Sequence, residues 1–154
     1  MHFKNKKSQF GFTLIELLIV ISIIGVLSAL AIINFNGAQR GARDAERKKE
    51  LEAVQTALVD WKLDNPTSNY FDHTSTNFNA VITTLSTEGY IQESSITDPH
   101  TGTTGYVYHY FQTNSGNGFR LVACAENTND QTAIADTANE FNCPTDLYFE
   151  VRNP

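Results

Sequence analysis

Residues 11–31 read GFTLIELLIVISIIGVLSALA, an aliphatic run with a carboxylate, Glu16, near its front. From Leu17 to Ile33 no residue is charged, and only Ser22, Gly25 and Ser28 interrupt the aliphatic side chains. With Phe12 to Glu16 ahead of it, the segment matches the roughly 20 helical residues that a bilayer core requires. A buried core helix is the alternative, but a small domain cannot wrap a helix that is apolar on every side.

Three membrane readings fit. One is a secretory signal with Ala29-Leu30-Ala31 as a small-x-small cleavage site. The second is a plain anchor. The third is an anchor processed ahead of its apolar run, between Gly11 and Phe12. The run exceeds the about 7–15 apolar residues of a signal peptide. Glu16 costs roughly 2.5–3.5 kcal/mol well inside a membrane helix and less near the interface, with no return in a signal or plain anchor. After a cut behind Gly11, Phe12 carries a new α-amino group. Glu16 then lies four residues on, on the same helix face. It also lies in the first turn, where the helix dipole favours negative charge. Among packed helices such an acid can pair with the amine of a neighbour. A wrong register would leave it unpaired, so Glu16 is expected to register copies.

The run Gly11-Phe12-Thr13-Leu14-Ile15-Glu16-Leu17-Leu18, behind a leader with Lys4, Lys6 and Lys7, resembles the N-terminal motif of type IV prepilins and pseudopilins. The resemblance covers about 4–31. It implies cleavage after Gly11 by a membrane prepilin peptidase and N-methylation at Phe12. It further implies assembly through Glu16 into a helical homo-oligomeric filament, driven by pilus or secretion machinery. The chain would then sit in the cytoplasmic membrane with a single pass before assembly, and in an extracellular filament afterwards. One position departs from the pattern: Ile33 stands where such proteins often carry proline. The following Asn34-Phe35-Asn36-Gly37 are poor helix formers, which predicts a weak spot there.

The whole chain has 154 residues and a formal charge of −6, suggesting one compact domain plus extras. Its cations are bunched in the leader and at Arg40, Arg43, Arg47, Lys48 and Lys49. A basic front and an acidic, polar rear do not suit a nucleic-acid binder. The second cluster is read as a solvated helix face with Asp44–Lys48 and Lys48–Glu52 pairs at i,i+4; contact with anionic lipid or DNA is the alternative. Its charge also outweighs the leader's, so the positive-inside rule taken alone places the rear domain in the cytoplasm, against the prepilin reading.

From Ala38 to about Asp64 proline is absent. Leu51, Val54, Leu58 and Trp61 make one apolar stripe at helical spacing, and Pro66 ends the helix. The expected fold is α+β: a long N-terminal helix laid on a small antiparallel sheet. Its parts are a leader (1–11), a membrane and filament-core helix (12–33), an amphipathic continuation (34–64) and a head (65–154). Within the head, a short helix over 80–85 ends at Gly89. Strands are expected over 106–111, over 119–125 after an Asn114-to-Gly118 turn, and over 147–152. Which hairpin face meets the helix is open. The run Leu85, Gly89-Tyr90-Ile91, Asp98-Pro99, Gly102, Tyr106 and Tyr108 resembles the middle of pilins and suggests that 93–105 crosses the helix.

Cys124 and Cys143 most simply form one disulfide in an exported domain, or stay free thiols in a cytosolic one. Their placement resembles the disulfide-bounded surface loop of many pilins. His2, His73, His100 and His109 lack metal-ligand spacing, and neither a phosphate loop, a nucleophile elbow nor an HExxH motif occurs, so no enzyme, catalytic residue or metal site is expected. Glu126, Asp130, Asp136 and Glu140 lie in a loop rich in Asn and Thr; pseudopilins can bind calcium in this general region, but a calcium-loop pattern is missing, so calcium is kept only as the alternative to no cofactor. Three functions remain in play: a type IV pilin-like subunit whose head ligand is unidentified, a pseudopilin of a secretion or competence system, and an anchored or secreted binding protein with an ordinary signal.

Overall fold

The computed structural model describes residues 11–72, 78–100 and 105–153; of 30–34 it describes the backbone alone. The leader before Gly11, His2, His73 and the Thr101–Thr104 part of the expected crossing loop lie outside these residues. The chain divides into two compact units, Met1–Gly37 and Ala38–Pro154.

One helix, α1 (Leu14–Asp64), contributes to both units. In the first unit every large apolar side chain from Phe12 to Leu27 is exposed. Among the described residues no helix is long and apolar enough to cross a membrane; the expected 12–33 span draws on 30–34, where side chains are not described. Helical structure continues through Asn34-Phe35-Asn36-Gly37, so the predicted weak spot is not a break. Low propensity costs only about 0.7–1 kcal/mol per residue, and without proline each backbone N–H keeps its partner one turn back.

In the second unit α1 turns the expected stripe inward: Leu51, Val54, Leu58 and Trp61 are all buried, with Ala57 among them. Asn65 closes the helix, its N–H and its side-chain amide both donating to the Trp61 carbonyl at 3.0 Å, and Pro66 forbids another turn. Helix α2 (Phe78–Thr87) buries Phe78, Val81, Ile82 and Leu85. It stops at Gly89, whose φ of +87° suits a residue without a side chain. The Tyr90 N–H reaches the Leu85 carbonyl and the Gly89 N–H that of Ser86, the paired bonds of a Schellman end.

Four strands follow: β1 (Tyr108–Thr113), β2 (Gly118–Cys124), β3 (Ile134–Ala135) and β4 (Leu147–Arg152). They form an antiparallel sheet in the order β1-β2-β4-β3. The hairpin lies where expected, but β1 begins two residues later. Asn114, Ser115 and Gly116 all take positive φ in its turn. A side chain on Gly116 would come within 2.5 Å of Asn69, which explains the glycine. Three strands were expected and the fourth, β3, is only two residues long.

Alternation settles which face meets the helix. Tyr108, Tyr110, Phe119, Leu121, Ala123 and Phe149 join the main core with the helices. Val122 and Cys124 face the other way, into a smaller cluster with Phe141 and Cys143, flanked by Tyr106, Phe111 and Tyr148. Both faces carry bulky residues because both are covered: one by helices, the other by the chain between the two cysteines.

Candidate assembly site and its ionic support

At the front of the molecule Gly11 and Phe12 precede the helix, and Phe12 is 87% exposed. Thr13 and Glu16 cap the helix reciprocally. The Glu16 N–H donates to Thr13 Oγ1 at 3.2 Å. Glu16 Oε2 accepts the Thr13 N–H at 3.1 Å and its hydroxyl at 3.0 Å. This is a capping box. It adds a second answer to why an acid stands in a greasy run: in the single chain the carboxylate satisfies two donors that the helix cannot. The signal was in the sequence as Thr13-x-x-Glu16 ahead of an apolar run, and reasoning about pairs between copies passed it over.

The basic cluster of α1 corrects the sequence reading. Far from a solvated face, Arg47 is fully buried and Asp44 is 1% exposed. The Arg47 guanidinium makes a two-bond fork to Asp98, at 2.7 and 2.6 Å. It also donates to Asp44 at 2.6 Å and to Glu126 at 2.7 Å. Arg43 makes a second fork onto Glu126, at 2.8 and 2.6 Å. Asp44, expected to pair with Lys48, instead pairs with Arg47. Its oxygens also receive the N–H groups of Glu126 (3.0 and 3.1 Å) and Asn127 (2.7 Å). Lys48 reaches Asp130 at 2.6 Å and lies 4.4 Å from the centre of the Phe149 ring.

This geometry tunes the acids. Burial pushes the Glu126 carboxyl upward, but hydrogen bonds from Arg43 and Arg47 overcome it and hold the group down to about 2. Lys48 first, then Thr132, hold Asp130 down to about 2. Burial works against the charge on Arg47, and its bonds to Asp98 and Glu126 outweigh that and keep it charged. The residue types fit: a planar guanidinium with five donors matches several carboxylates at once, as an ammonium cannot.

Cys124 and Cys143 are joined in a disulfide, and both are buried. The four acids named for calcium are taken up otherwise. Glu126 and Asp130 serve the helix cations. Asp136 accepts the N–H groups of Glu140 and Phe141, at 2.7 and 3.0 Å. Glu140 pairs with Arg120. Among the described residues no group of three His, Cys, Asp or Glu is placed to hold a metal ion. His100 stacks on Tyr106, ring centres 5.0 Å apart, with Nδ1 3.2 Å from Glu126. His109 packs between Phe111 and Phe141.

Comparison with known proteins agrees with the front of the molecule. Residues 6–32 match the family model of the prokaryotic N-terminal methylation motif. The chain is 53% identical over 47 residues to the type IV major pilin protein PilA of Myxococcus xanthus, covering 30% of this chain and 21% of that one. It is 42% identical over 64 residues to the type II secretion system core protein G of Escherichia coli, covering 40% of this chain and 44% of that one. The corresponding protein of Aeromonas hydrophila is 38% identical over 61 residues, covering 40% and 43%. The chain thus spans less than half the length of these relatives. No solved structure matches it.

Proposed function

We infer that this chain, which belongs to the type IV pilin and pseudopilin family, is a structural subunit that polymerises through its N-terminal helix. The carrying observation is the exposed apolar surface from Phe12 to Leu27 directly behind the methylation motif. Such a surface is costly in water and has to be covered by lipid, by other copies or by both in turn. In this reading a prepilin peptidase cuts after Gly11 and Phe12 is N-methylated. The segment 12–33, about 33 Å long as a helix, waits in the cytoplasmic membrane. Assembly machinery of the pilus or secretion type then draws it into an extracellular filament, where the head, 65–154, meets solvent. Glu16 caps its own helix while the subunit waits and pairs with the Phe12 amine of a neighbour once packed.

A secretion-system pseudopilin is the second reading. It is favoured by matches to core protein G that cover 40% and 49% of this chain, where the pilin match covers 30%. Abundant long surface fibres mark a pilin; a scarce subunit without them marks a pseudopilin.

Two substitutions separate the roles of Glu16. Glu16→Gln keeps the capping box, since Gln serves at that position, but removes the charge. Glu16→Ala removes both. Both variants are expected to insert in the membrane and fail to assemble. Normal filaments from Glu16→Gln would leave the cap and end the charge-pairing role.

A further inference from the structure

We propose that Arg40 of one copy seats in an acidic trough on the second unit of another, a contact between copies additional to the apolar run. It rests on the reading of the chain as a polymerising subunit. Within the second unit, two hollows of about 230 and 540 Å³ share Ala53, Ile91 and Glu93. Together they make one trough between α1 and the segment 89–96. Its floor is apolar, with Ile96 and Ala57 both buried. Its rim is acidic. Glu46 and Glu50 line the smaller hollow, Asp60 the larger and Glu93 both, against Lys49 alone. Four carboxylates and one ammonium leave the trough with a formal charge of −3.

Charge complementarity selects the occupant. Most cations of the unit are matched inside their own chain: Arg43 and Arg47 by Glu126, Lys48 by Asp130, Arg120 by Glu140 and Arg152 by Glu150. Lys62 donates to the Ser68 carbonyl. Arg40 is exposed and, among the described residues, pairs with no carboxylate. It stands six residues before Glu46, about 9 Å along the helix and about a third of a turn round it. Glu50 is ten residues on, about 15 Å away along the axis. Arg40 therefore lies outside the trough of its own chain and is free to enter that of another.

A guanidinium suits this trough. Its apolar stem can lie along the alanine and isoleucine floor, and its fork of donors can reach more than one carboxylate. A single exposed ion pair contributes little, but one cation facing several acids over an apolar floor is better shielded from water. The giving and receiving patches lie at different places on one chain. The contact is therefore heterologous, the class that builds rings or open helical filaments.

The yield of sheared filaments from cells making the full chain tests this, together with carbodiimide crosslinking of those filaments. Arg40→Glu should lower the yield about tenfold or more, because like charges then meet, while Trp61 fluorescence keeps the parental urea midpoint. Glu46 and Glu93 are both exposed. Glu46→Arg/Glu93→Arg turns the trough from −3 to +1 and should lower the yield as far. Combining all three changes should bring it back within about twofold of the parent. Arg40→Lys should assemble, and carbodiimide should join its new amine to Glu46, Glu50, Asp60 or Glu93 of another copy, giving a covalent dimer. Parental yield from Arg40→Glu overturns the contact and leaves the filament reading standing. So does a triple variant that fails to recover, or an Arg40→Lys chain whose new amine joins no trough carboxylate. If the parent itself forms no filaments, the polymerising reading fails and the contact falls with it.

Discussion

Replacing Arg47 by methionine should be among the most damaging single changes in the head. The side chain keeps its apolar stem, so little cavity opens, but its four bonds to Asp44, Asp98 and Glu126 go. Three carboxylates, none more than 7% exposed, then share Arg43. The formal charge of the group, two arginines against three acids, falls from −1 to −2. Removing one partner of a buried ionic group costs about 3–5 kcal/mol, because the remaining charges stay buried without compensation. With a urea dependence of about 2 kcal/mol per molar for a small domain, the unfolding midpoint drops by about 2 M. Trp61 is the sole tryptophan of the chain and is 7% exposed in the head core, so its fluorescence follows head unfolding alone. The exposed Arg40 provides the control, with Arg40→Met expected within about 0.5 kcal/mol of the parent. A midpoint shift below about 0.5 M for Arg47→Met, or an equal shift for Arg40→Met, would refute the reasoning.

Two further perturbations follow from the same structure. Glu126 and Asp130 are both held at about 2 in the folded chain, so their stabilisation is fully present above the unfolded value, near 4.5 for a glutamate, and is lost as pH falls toward 2. The Trp61-monitored urea midpoint should therefore decline steadily between about pH 4.5 and 2. Glu50, pushed upward by burial despite its bond to Tyr108, acts in the opposite sense just above that window. A midpoint flat from pH 5 to 2.5 would remove the ionic support from the account. In the apolar half of the interface, Leu58→Ala should cost about 2–5 kcal/mol by the same fluorescence assay, Leu58 being fully buried; a cost under 1 kcal/mol would mean that the stripe does not carry the helix.

Local patterns were legible and distant ones were not. The Leu51, Val54, Leu58 and Trp61 stripe follows from helical periodicity, and the hairpin from alternation around an Asn- and Gly-rich turn. Both are set by neighbours in sequence. The fourth strand escaped because two residues, Ile134 and Ala135, carry no pattern. The ionic network escaped for a different reason. Arg47 meets Asp98 and Glu126 across 51 and 79 residues, and periodicity says nothing about such partners. The i,i+4 rule instead paired Asp44 with Lys48, a surface arrangement worth a few tenths of a kcal/mol, where the fold buries Asp44 against Arg47 and two backbone N–H groups. One hint was present: five cations crowd 40–49 while the acids sit in loops. At the front, Gly11, Phe12 and Glu16 were singled out through resemblance alone, and the capping role of Thr13 was legible in principle through its spacing from Glu16.

Polymerisation through the N-terminal helix requires that the chain be cut before it, so the intact mass of the subunit recovered from its native envelope is the most direct test. The account predicts a chain that begins at Phe12, carries one added methyl group on its α-amine and contains the Cys124–Cys143 disulfide. A chain that still begins at Met1, or one that begins at Ile32 after an ordinary signal cleavage, would contradict it.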